Sequence, residues 1–342
     1  MKKEIAKKDI RKAGRIVWID IAKAVTILAM IAGHCVSFGS PVRNFIFSFH
    51  MPIFFILTGF TMREINDLQG FWKGLKKDVR HLLLPAVGIQ AVNLLLRIFI
   101  QGGGGSFRDC YLCEAIVLGK CGGYKRKSGI GSVMVPVCNV LGEEPVSSDQ
   151  AHTPSPYTFI VYLLLAVLGK MIPEYHWLPQ SFDIAMVAVL FIWTGRLLKQ
   201  YWEKIEEYLF PITVISFIFW IYWWQNGIYI ELGTRSYPQF IICVVEAIMG
   251  SLCIFTLAKA LEAREWTTKV FSMIGKETLI ILGVHHLDAW VGFLWSGRPT
   301  WEVILYRTVF DLMAAAIVVV LIRKVKGTAD RLNKRVAQKN GK

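Results

Sequence analysis

The chain has 342 residues, 54% of them hydrophobic, with 21 Phe, 12 Trp and a formal net charge of +14 at pH 7; its mean hydropathy is +0.45. That content is too apolar for a soluble domain of this size, and long apolar runs leave no room for a large soluble module. The charge does not indicate a nucleic-acid partner, because the basic residues gather at the ends of the apolar runs, where they set topology and meet anionic lipid.

A transmembrane helix needs about 20 apolar residues to cross about 30 Å of hydrocarbon. Nine runs approach that length, near 17–38, 43–62, 82–101, 157–173, 182–199, 207–224, 239–260, 271–295 and 303–322. The expected fold class is therefore all-α, a polytopic transmembrane helix bundle with nine clear spans in one membrane domain over 1–342. Residues 1–15 carry Lys2, Lys3, Lys7, Lys8, Arg11, Lys12 and Arg15, which places them in the cytoplasm by the positive-inside bias. The first run is longer than a signal-peptide core and no small-residue cleavage site follows it, so it is expected to stay in the protein.

An ionisable side chain inside an apolar span is costly unless it pairs or faces a wet cavity, which makes each one a functional candidate. In the first run, "WIDIAKAVTILAMIAGHC" sets Asp20, Lys23 and His34 in one helix. Lys23 and His34 are eleven residues apart, within about 20° of three full turns, so they share a face about 16 Å long. Asp20 and Lys23, at i and i+3, are spaced to pair. An imidazole is the natural general base near neutral pH and can take a proton from a hydroxyl as it attacks a carbonyl. A histidine merely hydrogen-bonded in a bundle is the alternative on residue chemistry alone.

The second run places His50 before Met51 and Pro52, a break that either lets backbone groups line a cavity or only kinks the helix. The stretch "WKGLKKDVRHLLLP" that follows holds Lys73, Lys76, Lys77, Arg80 and His81, a basic cluster suited to lipid head groups or to the phosphates of a nucleotide-bearing donor. No Walker A loop and no G-x-G-x-x-G after a strand supports ATP hydrolysis or a dinucleotide.

Four of the seven cysteines, Cys110, Cys113, Cys121 and Cys138, lie between 102 and 156. Their C-x-x-C lacks a second pair or histidines at ligand spacing, so neither a zinc site nor a disulfide framework is expected. Loop charge raises a separate difficulty. With nine spans, the loops holding Arg196, Lys199 and Lys204 and then Lys259, Arg264 and Lys269, together with the basic tail at 323–342, would all fall outside. One more crossing between 102 and 156 returns every one of them to the cytoplasm. Yet Lys120, Lys125, Arg126, Lys127, Glu143, Glu144, Asp149 and three prolines in that interval leave no run able to cross lipid. Further on, "GKETLIILGVHHLDAW" adds Lys276, Glu277, His285, His286 and Asp288 to an apolar run.

Taken in order, Asp20, Lys23 and His34 as D-x-x-K-x10-H, then "FHMPIFFILTGF", the basic patch ending in "RHLLLP", and "GKETLIILGVHH" resemble the membrane acyltransferase 3 family. The branch it most resembles is the sugar O-acetyltransferase, fucose 4-O-acetylase-like group. The resemblance implies a ten-helix bundle in the plasma membrane with both termini cytoplasmic. It implies acetyl-CoA as acyl donor, no metal, and a hydroxyl of a cell-surface carbohydrate or its lipid-linked precursor as acceptor. It implies His34 as general base with Asp20 and Lys23 on the catalytic face, and Lys77 and Arg80 on the CoA phosphates. His50, His285 and His286 are the candidates for holding the acceptor. The family pairs its histidine with an arginine eleven residues earlier; Lys23 stands there instead, keeping the charge without the two-pronged fork.

The family also places a "WFL" helix before the span that begins near Tyr157, and this sequence shows none. Met134 followed by Val135 must be ATG GTN, which begins TGG, a tryptophan codon, when read one base later. With permitted wobble choices, Gly129 to Val146 becomes "GLGALWFLSAMFWAKNLF", which supplies the missing helix. Residues of about 116–153 therefore read as translated out of frame, and a chain lacking that span would be an inactive product. Two further alternatives are a transporter or flippase using the same polar face, and an orphan membrane half similar to that of the vancomycin-resistance serine racemases. The chain runs only about 20 residues past its last apolar run, so racemisation is not expected.

Overall fold

A computed structural model describes residues 15–62, 68–80, 84–100, 156–174, 178 and 181–340. The segment 116–153, and with it the tenth crossing and the out-of-frame reading, lies outside the described residues, as does His81. Among the described residues every long element is a helix, and the single strand-like feature is an antiparallel bridge between Glu231 and Ser236. The helices are α1 Val17–Cys35, α2 Pro41–Phe47, α3 His50–Thr61, α4 Leu68–Asp78, α5 Leu84–Ile100, α6 Pro156–Met171, α7 Phe182–Glu207, α8 Leu209–Gln225, α9 Phe240–Glu262, α10 Glu265–Lys276, α11 Thr278–Leu287 and α12 Thr300–Asn340.

The all-helical expectation holds, and each of the nine apolar runs is helical, but nine spans are not reached. Among the described residues four helical stretches are long and apolar enough to cross a membrane: Val17–Cys35, Pro41–Thr61, Phe240–Glu262 and Thr300–Thr328. A fifth is reached if α10 and α11, bent by 63° at their junction, form one broken span. The runs at 157–173 and 207–224 give helices of 16 and 17 residues, about 24–26 Å at 1.5 Å per residue and so short of the hydrocarbon thickness. In α7 the charges of Asp183, Arg196 and Lys199 interrupt the apolar stretch. Together these helices fit a multi-pass membrane protein.

The chain divides into two compact units, Val36–Arg264 and a unit made of Met1–Cys35 with Glu265–Lys342. In the larger unit, α2 starts on the Ser40 hydroxyl, which accepts from the Arg43 amide, with Pro41 in the first turn, where its missing N–H leaves nothing unsatisfied. The second run is broken at Ser48 and Phe49, and Trp220 Nε1 donates to Ser48 Oγ at 2.8 Å within the break. Beyond it, α3 crosses α7 at very close range. A Cβ on Gly59 would meet the backbone of Ile192, and one on Gly195 the backbone of Ile56, so glycine at both crossing points lets the backbones touch. Ile53, Ile56, Leu57, Ile184, Phe191 and Phe255 fill the core beneath. Two two-pronged ion pairs tie the 226–239 loop to the helices: Arg43 with Glu231 at 2.8 and 3.2 Å, and Arg235 with Asp183 at 2.5 and 3.2 Å.

In the smaller unit α10 packs along α1, again over a glycine: a Cβ on Gly275 would strike the Asp20 carbonyl. The ends of α1 and α11 and the first turns of α12 then converge, and their polar side chains meet there.

Candidate active site

Each residue of this cluster is set by its place on a helix. His34 lies in the last turn of α1 and His285 in the last turn of α11, followed by a tight turn over Asp288–Leu294. Arg307 and Asp311 are four residues apart on α12 and so occupy one face. The imidazoles of His34 and His285 lie with ring centroids 5.2 Å apart, tilted by 45°. His34 is exposed, whereas His285 is 5% exposed and Asp288 and Asp311 are 1% and 0% exposed.

His285 Nδ1 faces two carboxylates, Asp311 Oδ2 at 2.8 Å and Asp288 Oδ2 at 3.2 Å. Arg307 grips Asp288 with Nε and a terminal nitrogen, both at 2.7 Å, the parallel geometry that makes guanidinium–carboxylate pairs strong. Its other terminal nitrogen reaches the His34 carbonyl at 3.4 Å and Cys35 Sγ at 3.7 Å, which joins α12 to the end of α1.

Donor atoms of His285, Asp288 and Asp311 all lie within 4.8 Å of one another, close enough to share a cation. Arg307, however, already engages both Asp288 oxygens, and a divalent ion beside the guanidinium would meet its full charge at short range. A proton on His285 Nδ1 satisfies the same oxygens without that repulsion, and the opposite nitrogen is then the basic one. The geometry favours proton handling over a metal.

Of the residues singled out in the sequence, the structure brings His34 and His285 together. Asp20 and Lys23 sit at the other end of α1, about 21 and 16 Å along the axis from His34. The expected Asp20–Lys23 pair is not the one formed: among the described residues Asp20, 4% exposed, takes Nε of Arg15 at 2.6 Å and a terminal nitrogen at 3.1 Å. The planar arginine fork supplies two parallel bonds where the lysine ammonium offers a point charge. His286 follows His285 but is exposed. His50, Lys77 and Arg80 belong to the larger unit. There His50 is buried against Phe47 with centroids 4.3 Å apart, and Lys77 and Arg80 are exposed near the end of α4. Sequence reasoning missed Arg307 and Asp311, and left Asp288 without a role. The signal was present, since "YRTVFDL" puts two ionisable residues inside the apolar run 303–322, the same pattern that marked His34.

The sequence pattern of a family described as Acyltransferase domain matches residues 16–115. The matched segment contains Asp20, Lys23, His34, His50, Lys77 and Arg80, and its end at Ala115 precedes the helices that carry His285 and Asp311. No curated protein and no solved structure matches the chain.

Proposed function

We propose that the protein is an integral membrane O-acyltransferase that moves an acetyl group from acetyl-CoA to a hydroxyl of a cell-surface carbohydrate or its precursor. The observation that carries this reading is an exposed imidazole, His34, beside a second imidazole whose Nδ1 rests on buried carboxylates, on a helix that falls within the acyltransferase-like segment. An acyl transfer to an alcohol needs a base at the hydroxyl and a counter-ion for the charge that follows, and this cluster offers both. His34 is the general base. Lys77 and Arg80 are exposed cations suited to the CoA phosphates, and His50 and His286 are further candidates for the acceptor. Asp20 and Lys23, remote from His34 along α1, serve the helix or its cytoplasmic end and not the proton. The protein lies in the plasma membrane with both termini cytoplasmic, as the basic residues at 1–15 and 323–342 favour.

Mass spectrometry of surface glycans from cells with and without the gene tests this reading. An acetyl increment that appears only with the gene is expected; identical glycans would remove it.

A second reading has its own observation. The acyltransferase-like match ends at residue 115, next to the start of the segment that reads as out of frame. On this reading the product is an acyltransferase with its middle span replaced, and is inactive. Resequencing the coding DNA decides it: a one-base offset across 116–153 relative to close relatives supports it, and an intact frame excludes it.

A further inference from the structure

Asp311 is more costly than a structural role requires. It is fully buried on an apolar helix, its Oδ2 meets His285, and its Oδ1 has no hydrogen-bond partner among the described residues. An orphaned carboxylate oxygen in a dry site is destabilising, and an apolar side chain of similar volume would pack there at lower cost. Asp288, by contrast, has both oxygens engaged by Arg307 and keeps only the longer, 3.2 Å approach to the imidazole. The carboxylate free to serve His285 alone is Asp311.

We propose that Asp311 is a positioning residue for proton transfer: by accepting the Nδ1 proton of His285 it fixes that ring's tautomer, leaving Nε2 as the basic nitrogen of the imidazole that lies beside His34. Asp288, clamped by Arg307, holds the ring from its other side. This rests on the acyltransferase reading. In the transfer, the acceptor hydroxyl gives its proton to the imidazole of His34 as its oxygen bonds to the thioester carbonyl carbon. The tetrahedral adduct then collapses, the carbon–sulfur bond breaks, and the departing thiolate takes that proton, leaving an ester and free CoA thiol. Asp311 keeps its charge throughout; it orients His285 and balances the positive charge that forms on the imidazole pair. An amide in its place can donate to Nδ1 and would turn the ring to the wrong tautomer.

The test uses the full-length protein in membranes, with radiolabelled acetyl-CoA as donor and the native membrane carbohydrate as acceptor. Asp311→Asn is expected to lower kcat about 100-fold while leaving KM for acetyl-CoA unchanged. In a His285→Gln background the same substitution is expected to cost nothing more, because the two residues act as a unit. Asp183→Asn, an equally buried carboxylate on Arg235 in the other unit, serves as control and is expected to keep its kcat per folded molecule. Asp311→Leu is expected to fold and to show the same loss as the asparagine variant. An unchanged kcat in Asp311→Asn, or losses that simply add in the double variant, would overturn the proposal. Failure of both Asp311 variants to fold would make its role structural and overturn it equally. Absence of transfer by the unaltered protein would instead overturn the acyltransferase reading on which the proposal stands.

Discussion

Arg307 is the residue on which the cluster's geometry depends. It contacts Asp288 twice, the His34 carbonyl and Cys35, so it fixes α12 against both α1 and the turn after α11. Arg307→Ala leaves Asp288 buried with only the 3.2 Å approach of His285 and is expected to cost about 3 kcal/mol, seen as a lower melting temperature in detergent. Arg307→Lys keeps the charge but not the fork; it is expected to recover only part of that loss, and full recovery would show that charge alone suffices. The site was half legible at this scale. Histidines in apolar runs are rare enough that His34 and His285 stood out. One partner of His285, Asp311, lies 26 residues further on, and nothing in local spacing says that these two polar groups will meet. The same limit explains Asp20, whose i+3 neighbour lost to Arg15.

Helix existence was read correctly from hydropathy, whereas continuity was not. A window of apolar residues measures composition, so the 63° bend between α10 and α11 leaves no mark in it; the break at Ser48 and Phe49 was signalled by Pro52 and not by hydropathy. The stretch 225–238 has its own two charges, Glu231 and Arg235, both buried in ion pairs that hold the loop in place. Removing one partner, as in Arg43→Leu, is expected to destabilise by about 3–5 kcal/mol, and Arg43→Leu with Glu231→Leu by clearly less, since a buried charge left alone costs more than a missing pair. Equal losses from single and double variants, measured by thermal unfolding in detergent, would show that the pair is not the source. The crossing of α3 and α7 is stricter still. Gly195→Leu drives a side chain into the Ile56 backbone and is expected to cost about 3 kcal/mol or more; an unchanged melting temperature would mean the two helices separate readily.

At the scale of the whole molecule, the loop charges require an even number of crossings if both basic ends are to lie in the cytoplasm. Reporter fusions at the two termini check this directly. Both cytoplasmic is the expected outcome, and termini on opposite sides would contradict the topology. Helical character and the acyltransferase-like segment near the N-terminus were legible in the sequence; the clustering of α1, α11 and α12 was not, because it brings residues 34, 285, 307 and 311 together from opposite ends of the chain. Acyl transfer itself is measured by incubating membranes that contain the protein with radiolabelled acetyl-CoA and counting label in the carbohydrate fraction. Label that depends on the protein and falls at least about 100-fold in His34→Ala is the predicted result; equal label in the unaltered protein and the alanine variant, or none in either, would contradict it.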